Sequence, residues 1–189
     1  MKSIKIVGIA ALIITVIVAA FSLAQPAKGH VSKSIVIEAS ASTVFDVLND
    51  LRNFPAWSPW VVMDPEARYT YEGPASGTGA KMTWQGKALG KGSQWIEESV
   101  PGQRIKNVMD FREMNGFFYS IYTLESDPGG TKVTWTYDGE NKGFTGKMRW
   151  LFMKGGLGTQ FEDGLKDLKR LIEKGELPLT SSVSTATPQ

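Results

Sequence analysis

LGTQFEDGLKDLKRLIE, residues 157–173, decides the fold. Leu157, Phe161, Leu165, Leu168 and Ile172 recur at the 3.6-residue period of a helix and form one apolar stripe. Glu162, Asp163, Lys166, Lys169 and Glu173 fall on the remaining faces. A helix of this kind must lay its stripe on something apolar. Gly164 sits inside the pattern, where glycine costs about 1 kcal/mol relative to alanine. Two reasons would justify it: close approach to the surface beneath, or room for a ligand there. Gly175 is a natural stop, and PLTSSVSTATPQ (178–189) has the composition of a disordered tail.

The surface beneath is supplied by the segment before the helix. Between Arg68 and Tyr137, short β-prone runs alternate with turn signals such as Gly77-Thr78-Gly79, Pro101-Gly102 and Pro128-Gly129-Gly130. Ala80, Met82 and Trp84 alternate with Lys81, Thr83 and Gln85, while Val133, Trp135 and Tyr137 alternate with Lys132, Thr134 and Thr136. Each strand therefore offers one apolar face, and the run reads as an antiparallel meander. KSIVIEA (33–39) reads as an earlier strand. Val44, Phe45, Val47, Leu48 and Leu51 then read as a short helix, capped by hydroxyls from Ser40 to Thr43. Pro55, Pro59 and Pro65 break the chain that follows, which leaves Trp57 and Trp60 on an irregular segment. The expected class is α+β, a curved antiparallel sheet wrapped around a long C-terminal helix.

KSIVIEASASTVFDVLNDLRNFPAWSPW (33–60), the glycine-flanked Met82-Thr83-Trp84, the run Gly130 to Trp135, and FEDGLKDLKRLIE (161–173) together resemble the polyketide cyclase/dehydrase branch of the START-like (SRPBCC) superfamily. The resemblance covers about residues 31 to 175. It implies a helix-grip fold enclosing an apolar cavity between sheet and final helix, but one fold hosts many activities.

Ahead of the domain, VGIAALIITVIVAAFSLA (7–24) carries no charge. About 20 apolar residues suffice to cross a bilayer core. Lys2 and Lys5 precede the run and favour a cytoplasmic N-terminus, with the domain on the extracytoplasmic side; Lys28 and Lys33 weaken that bias. The competing reading is a secretory signal peptide cleaved after Ser22-Leu23-Ala24. The expected organisation is thus an anchor or signal over 1–25, a linker over 26–32, the START-like domain over 33–175 and a tail over 176–189.

Composition narrows the chemistry. The 189 residues contain no cysteine and one histidine, His30, which excludes thiolate catalysis, sulfur-ligated metals and multi-histidine metal sites. Against 21 basic residues stand 19 acidic ones, a net charge of +2 that gives no field for nucleic acid. No carboxylate pair or nucleophile with a base stands out. Glu97, Glu98 and Asp110 lie on expected strands, and an inward Glu97, Asp110, Arg112 or Tyr122 would favour a cyclase or dehydratase. His30 reads as a solvated linker residue. The glycine-rich GKALGKG (86–92) lacks the spacing of a phosphate loop and reads as a hairpin.

No catalytic residue, metal or cofactor is therefore expected. The candidate site is a cavity lined by Trp57 and Trp60 as lid, by Met82, Trp84, Phe118, Tyr122 and Trp135 from the sheet, and by Phe152, Phe161, Gly164 and Leu165 from the helical end. Core packing is the alternative for each. FTGKMRWLFMKGGLG (144–158) reads either as an ordinary packed helix start or as a segment that repacks around ligands or dips into a bilayer surface. The leading functional reading is binding of an apolar lipid or aromatic compound at a membrane. The rivals are a cyclase-type enzyme and a ligand-free interaction domain.

Overall fold

A computed structural model describes residues 2–24, 26–112 and 116–175. The elements follow as α1 (Lys2–Ala24), β1 (Lys28–Ile37), α2 (Ala41–Asn49), a 3-10 turn (Leu51–Ala56), α3 (Pro59–Met63), β2 (Arg68–Glu72), β3 (Lys81–Gln85), β4 (Lys91–Val100), β5 (Arg104–Phe111), β6 (Phe117–Asp127), β7 (Gly130–Glu140) and α4 (Gly143–Lys174). The strands form one antiparallel sheet in the order β1-β7-β6-β5-β4-β3-β2. β2 to β7 pair with their chain neighbours, as a meander must. β1 comes first in sequence and closes the far edge against β7. The register of β4 shifts between Ile96 and Glu98, a bulge that bends the strand. Sheet and α4 form a helix grip, as the alternation of the strands and the stripe of the last helix require.

Local chemistry explains the boundaries. Ser40 caps α2, its Oγ accepting from the Thr43 N–H at 3.1 Å. Asp50 caps the 3-10 turn by accepting from the Arg52 N–H at 2.8 Å. Gly175, at φ 66°, ends α4 and donates its N–H to the Leu171 carbonyl at 3.0 Å. α4 is held along β1 by the ion pair of Lys33 with Glu162, by Lys169 Nζ donating to the Val36 carbonyl at 2.7 Å, and by the Glu38 N–H donating to Glu173 Oε1 at 2.7 Å.

Three expectations change. The first strand starts at Lys28 instead of Lys33, because Lys28 to Ser32 pair with Glu140 to Thr136 of β7. The expected 26–32 linker therefore shrinks to the chain before Lys28, and His30 is a strand residue whose Nδ1 lies 2.7 Å from Asp138 Oδ1. The final helix begins at Gly143, ahead of the Leu157 stripe, so of the two readings of the 144–158 segment the helix start is the one found, and the segment is the first half of α4. Finally, among the described residues no helix is long and apolar enough to cross a membrane. The helical backbone of α1 does run for 23 residues, but the side chains of residues 2–5, 10–11, 14, 17 and 22–24 lie outside the described set. The transmembrane expectation thus gains no support from the fold. The tail over 176–189 also lies outside the described residues.

Candidate functional site: the concave face of the sheet

Register and alternation place the inward residues in rows across the sheet. One row reads Met82, Gln94, Met109, Phe118; the next reads Ile96, Asn107, Ser120, Tyr137; a third reads Ile105, Tyr122, Trp135. Phe161 of α4 stacks on Trp135 with ring centroids 4.0 Å apart and planes 10° from parallel. Trp57 meets Trp135 edge-on at 5.4 Å and Tyr122 at 6.1 Å, and Trp60 meets Trp135 at 5.6 Å. Such pairs add roughly 0.5–1.5 kcal/mol beyond the area they bury. A second cluster lies further along the groove, where Tyr137 stacks between Phe118 at 5.9 Å and Trp150 at 5.6 Å.

Most of the expected lining residues do converge here. Trp57, Met82, Trp84, Phe118, Tyr122, Trp135, Phe161, Gly164 and Leu165 are buried, and Trp60 is half-buried. Phe152 is not among them. It is 80% exposed, because it lies nine residues before Phe161, on the opposite face of the helix. Gly164 proves to be a packing residue: a Cβ there would sit 2.9 Å from the Trp135 ring and 3.0 Å from Pro59 Cδ. Helix and sheet approach too closely at this point to leave room for a ligand.

The groove is also less apolar than the sequence suggests. Gln94, Asn107 and Ser120 are buried on its floor. Period-two counting could have found them, since each stands two residues from an inward apolar neighbour: Ile96, Ile105 and Tyr122. The Trp135 Nε1–H donates to Ser120 Oγ at 2.8 Å. Trp57 Nε1, Ser58 Oγ, Gln94 Nε2, Asn107 Oδ1 and the Tyr137 hydroxyl are buried and make no hydrogen bond to the protein. A buried polar group without a partner costs about 1–3 kcal/mol. Burial drives the phenol pKa of both Tyr122 and Tyr137 upward, partly offset for Tyr122 by its hydrogen bond with Ser120. Both phenols are neutral at physiological pH and can donate hydrogen bonds.

The carboxylates and guanidinium that would favour acid-base chemistry lie elsewhere. Glu97 pairs with Lys106 at 2.5 Å, with both side chains partly in solvent. Asp110 is half-buried and Arg112 is exposed, whereas Tyr122 does point inward. Among the described residues no cluster of His, Cys, Asp or Glu could hold a metal ion. A recess lies between α2, the 3-10 turn and the sheet, lined by Leu48, Asp50, Phe54, Trp57, Asn107 and Tyr122 among others. It is too narrow to seat even one water molecule. The aromatic clusters close the grip, and a ligand would enter only by moving them.

Residues 28–173, the sheet and α4 together, match the family model for polyketide cyclase / dehydrase and lipid transport. The chain belongs to this family. Solved structures show the same fold at low identity. A crystal structure from Chromobacterium violaceum aligns at 19% identity and a TM-score of 0.58, covering 77% of this chain and 98% of that one. The Aha1 dimer from Colwellia psychrerythraea aligns at 16% and 0.56, covering 78% and 98%. DynU16, from the dynemicin biosynthetic locus, aligns at 16% and 0.53, covering 80% of this chain and 49% of its own. No curated protein matches the chain. Membership of the polyketide cyclase / dehydrase and lipid transport family is consistent with apolar small-molecule binding or with cyclase-type activity.

Proposed function

We propose that this domain binds an apolar, ring-bearing small molecule between sheet and α4, and that α1 holds it at a membrane. The observation carrying the binding reading is the set of unpartnered polar atoms inside an aromatic groove: Trp57 Nε1, Gln94 Nε2, Asn107 Oδ1 and the Tyr137 hydroxyl. Donors and an acceptor fixed among rings suit a flat apolar molecule with one or two oxygen functions. Such groups give a mostly apolar site its orientation and selectivity. Trp57 and Trp60, next to Pro55 and Pro59, form the lid that must move.

The membrane reading rests on α1. A helix of 23 residues is about 34 Å long, and a bilayer core is about 30 Å thick. Ile6, Val7, Ile9, Leu12, Ile13, Val16, Val18 and Phe21 are all exposed. At 100° per residue they span about 240° of the circumference, the remaining arc carrying the small, uncharged Gly8, Thr15 and Ala19, and a helix with so wide an apolar face is one that a bilayer or a core must cover. By the positive-inside tendency, Lys2 and Lys5 put the domain on the extracytoplasmic side. Cleavage after Ala24 is the alternative; it would leave the domain from Lys28 whole and secreted.

Cyclase-type chemistry is the second reading, favoured by the inward Tyr122 and the family's name. It is the weaker one, because the titratable groups on the inward rows are neutral phenols with raised pKa, poor bases near neutral pH. Titration of the intact protein with a panel of fatty acids, sterols and polycyclic phenols, followed by tryptophan fluorescence, tests the binding reading. Saturable quenching is expected from at least one class. Unchanged emission across the panel would refute it.

A further inference from the structure

We infer that the end of the sheet from which α1 departs is a docking face for an anionic bilayer surface, with Phe117 and Phe144 as its apolar anchors. This rests on the membrane reading above and adds to it which way the domain faces.

The strand directions collect four features at that end. β1 begins there and β7 ends there, because Lys28 pairs with Glu140. The β5–β6 connection lies there, because Asp110 pairs with Phe117. The β3–β4 hairpin lies there too, because Gln85 pairs with Lys91. α4 starts beyond the sheet's edge. Going up β1, Gly29 faces Trp150, Lys33 faces Glu162 and Val36 faces Lys169, so the turns before Trp150 overhang on the side of α1. α1 and α4 are in contact. The short connection after α1 is stapled to the connection between β7 and α4, with the Asn141 N–H donating to the Ala27 carbonyl at 2.8 Å and Asn141 Nδ2 to the Pro26 carbonyl at 3.4 Å.

Apolar exposure concentrates on the same end. Phe117 is 55% exposed and Phe144 49%. Exposed Val62 and Met63 precede Asp64, whose Oδ2 accepts from the amides of Ala88 and Leu89 in the hairpin. At the opposite end the large exposed side chain is Tyr71, covered by the Arg52 guanidinium at 5.7 Å. Charge follows suit. Lys28, Lys91, Arg112 and Arg149 are exposed at the α1 end. Among the described acids of this end, Asp138 pairs with His30 at 2.7 Å, Glu140 with Lys142 at 3.2 Å and Glu66 with Lys87 at 3.5 Å, and Asp110 is half-buried. Aromatic rings set among exposed bases are the composition of an interfacial surface, where rings enter the acyl boundary and cations meet anionic headgroups.

The absence of cysteine makes the test clean. An environment-sensitive dye is placed on Ile13→Cys in α1, Thr145→Cys beside Phe144, or Gln103→Cys in the far β4–β5 turn. The full chain is reconstituted into vesicles of phosphatidylcholine with phosphatidylglycerol and nitroxide-bearing lipid. Quenching at Thr145→Cys is expected to be several-fold that at Gln103→Cys, and to fall in phosphatidylcholine alone. Exchanging the exposed Phe117 and Phe144 together for serine is expected to release it. Quenching at Ile13→Cys with none at Thr145→Cys above the Gln103→Cys level leaves α1 in the bilayer and overturns docking. Quenching that survives the double serine exchange reports mere tethering and also overturns it, while equal quenching in both lipids overturns the anionic preference. An unquenched Ile13→Cys overturns the membrane reading itself, and docking with it.

Discussion

From Leu157 onward α4 is clasped along β1 and buries Leu157, Phe161, Gly164, Leu165 and Leu168, whereas from Gly143 to Gly156 its one fully buried side chain is Trp150. The second half is the roof of the core. The first half carries exposed Phe144 and Phe152, and Gly155 and Gly156 have nothing within 4 Å of where a Cβ would lie. Glycine weakens a helix wherever it sits; a Cβ at Gly164 or at Gly146 would meet a neighbour within about 3 Å, whereas Gly155 and Gly156 have no such packing reason. The contrast shows that burial is concentrated in one part of the helix. The second half fixes the fold, and on the proposed function the sparsely packed first half is the part that would respond to a ligand or a bilayer.

The largest effect that could break this contrast comes from the rings. Phe161→Ala is expected to cost about 3–5 kcal/mol, because it removes the stack on Trp135 and leaves a cavity. Phe152→Ala should stay within about 0.5 kcal/mol, as exposed sites do. Chemical denaturation of both variants checks the pair, and equal losses would erase the distinction between the halves.

The glycines sharpen it. Gly164→Ala must push against Trp135 and Pro59 and is expected to destabilise by about 1–3 kcal/mol. Gly155→Ala and Gly156→Ala meet open space and should each stabilise by about 0.5–1 kcal/mol. Thermal melts report the signs. If the first half must move to admit ligand, the same two alanines should slow ligand uptake in stopped-flow fluorescence.

The smallest expected effect tests how the second half is clasped. Glu173 accepts from the Glu38 N–H and pairs with Lys169 at 3.1 Å, which holds its carboxyl below the usual carboxylate range. A lowered folded pKa stabilises the fold above the unfolded pKa of about 4.3, and that contribution is lost as pH falls through the folded value. Glu173→Gln should therefore lower stability slightly at neutral pH, the effect being small because solvent screens the pair. The cost should vanish in strong acid, as read from denaturation midpoints across pH.

Much of this was legible in the sequence, and the exceptions have physical causes. The roof was readable because Leu157, Phe161, Leu165 and Leu168 keep one phase with polar residues between them. The first half was not, because Met148, Trp150, Leu151, Phe152 and Met153 crowd several faces. Carrying the phase of Phe161 back across Gly158 would have put Trp150 inside and Phe152 outside. The start of β1 was hidden because Lys28, Gly29 and His30 have little strand preference; pairing with β7 makes them a strand. The polar floor of Gln94, Asn107 and Ser120 carries no hydrophobic signal of its own, although alternation points all three inward.

The central claim is that the closed groove opens to take an apolar ring-bearing molecule, and native mass spectrometry of the full chain extracted in mild detergent tests it most directly. The account expects the mass of the chain with residues 1–24 retained, plus a bound apolar molecule that is lost in a variant carrying Asn107→Leu and Gln94→Leu. That variant replaces two of the five unpartnered polar groups among the described residues, those on the sheet floor, by apolar side chains of similar shape. A bare protein mass under conditions gentle enough to preserve known lipid complexes, or a molecule retained equally by the variant, would contradict it.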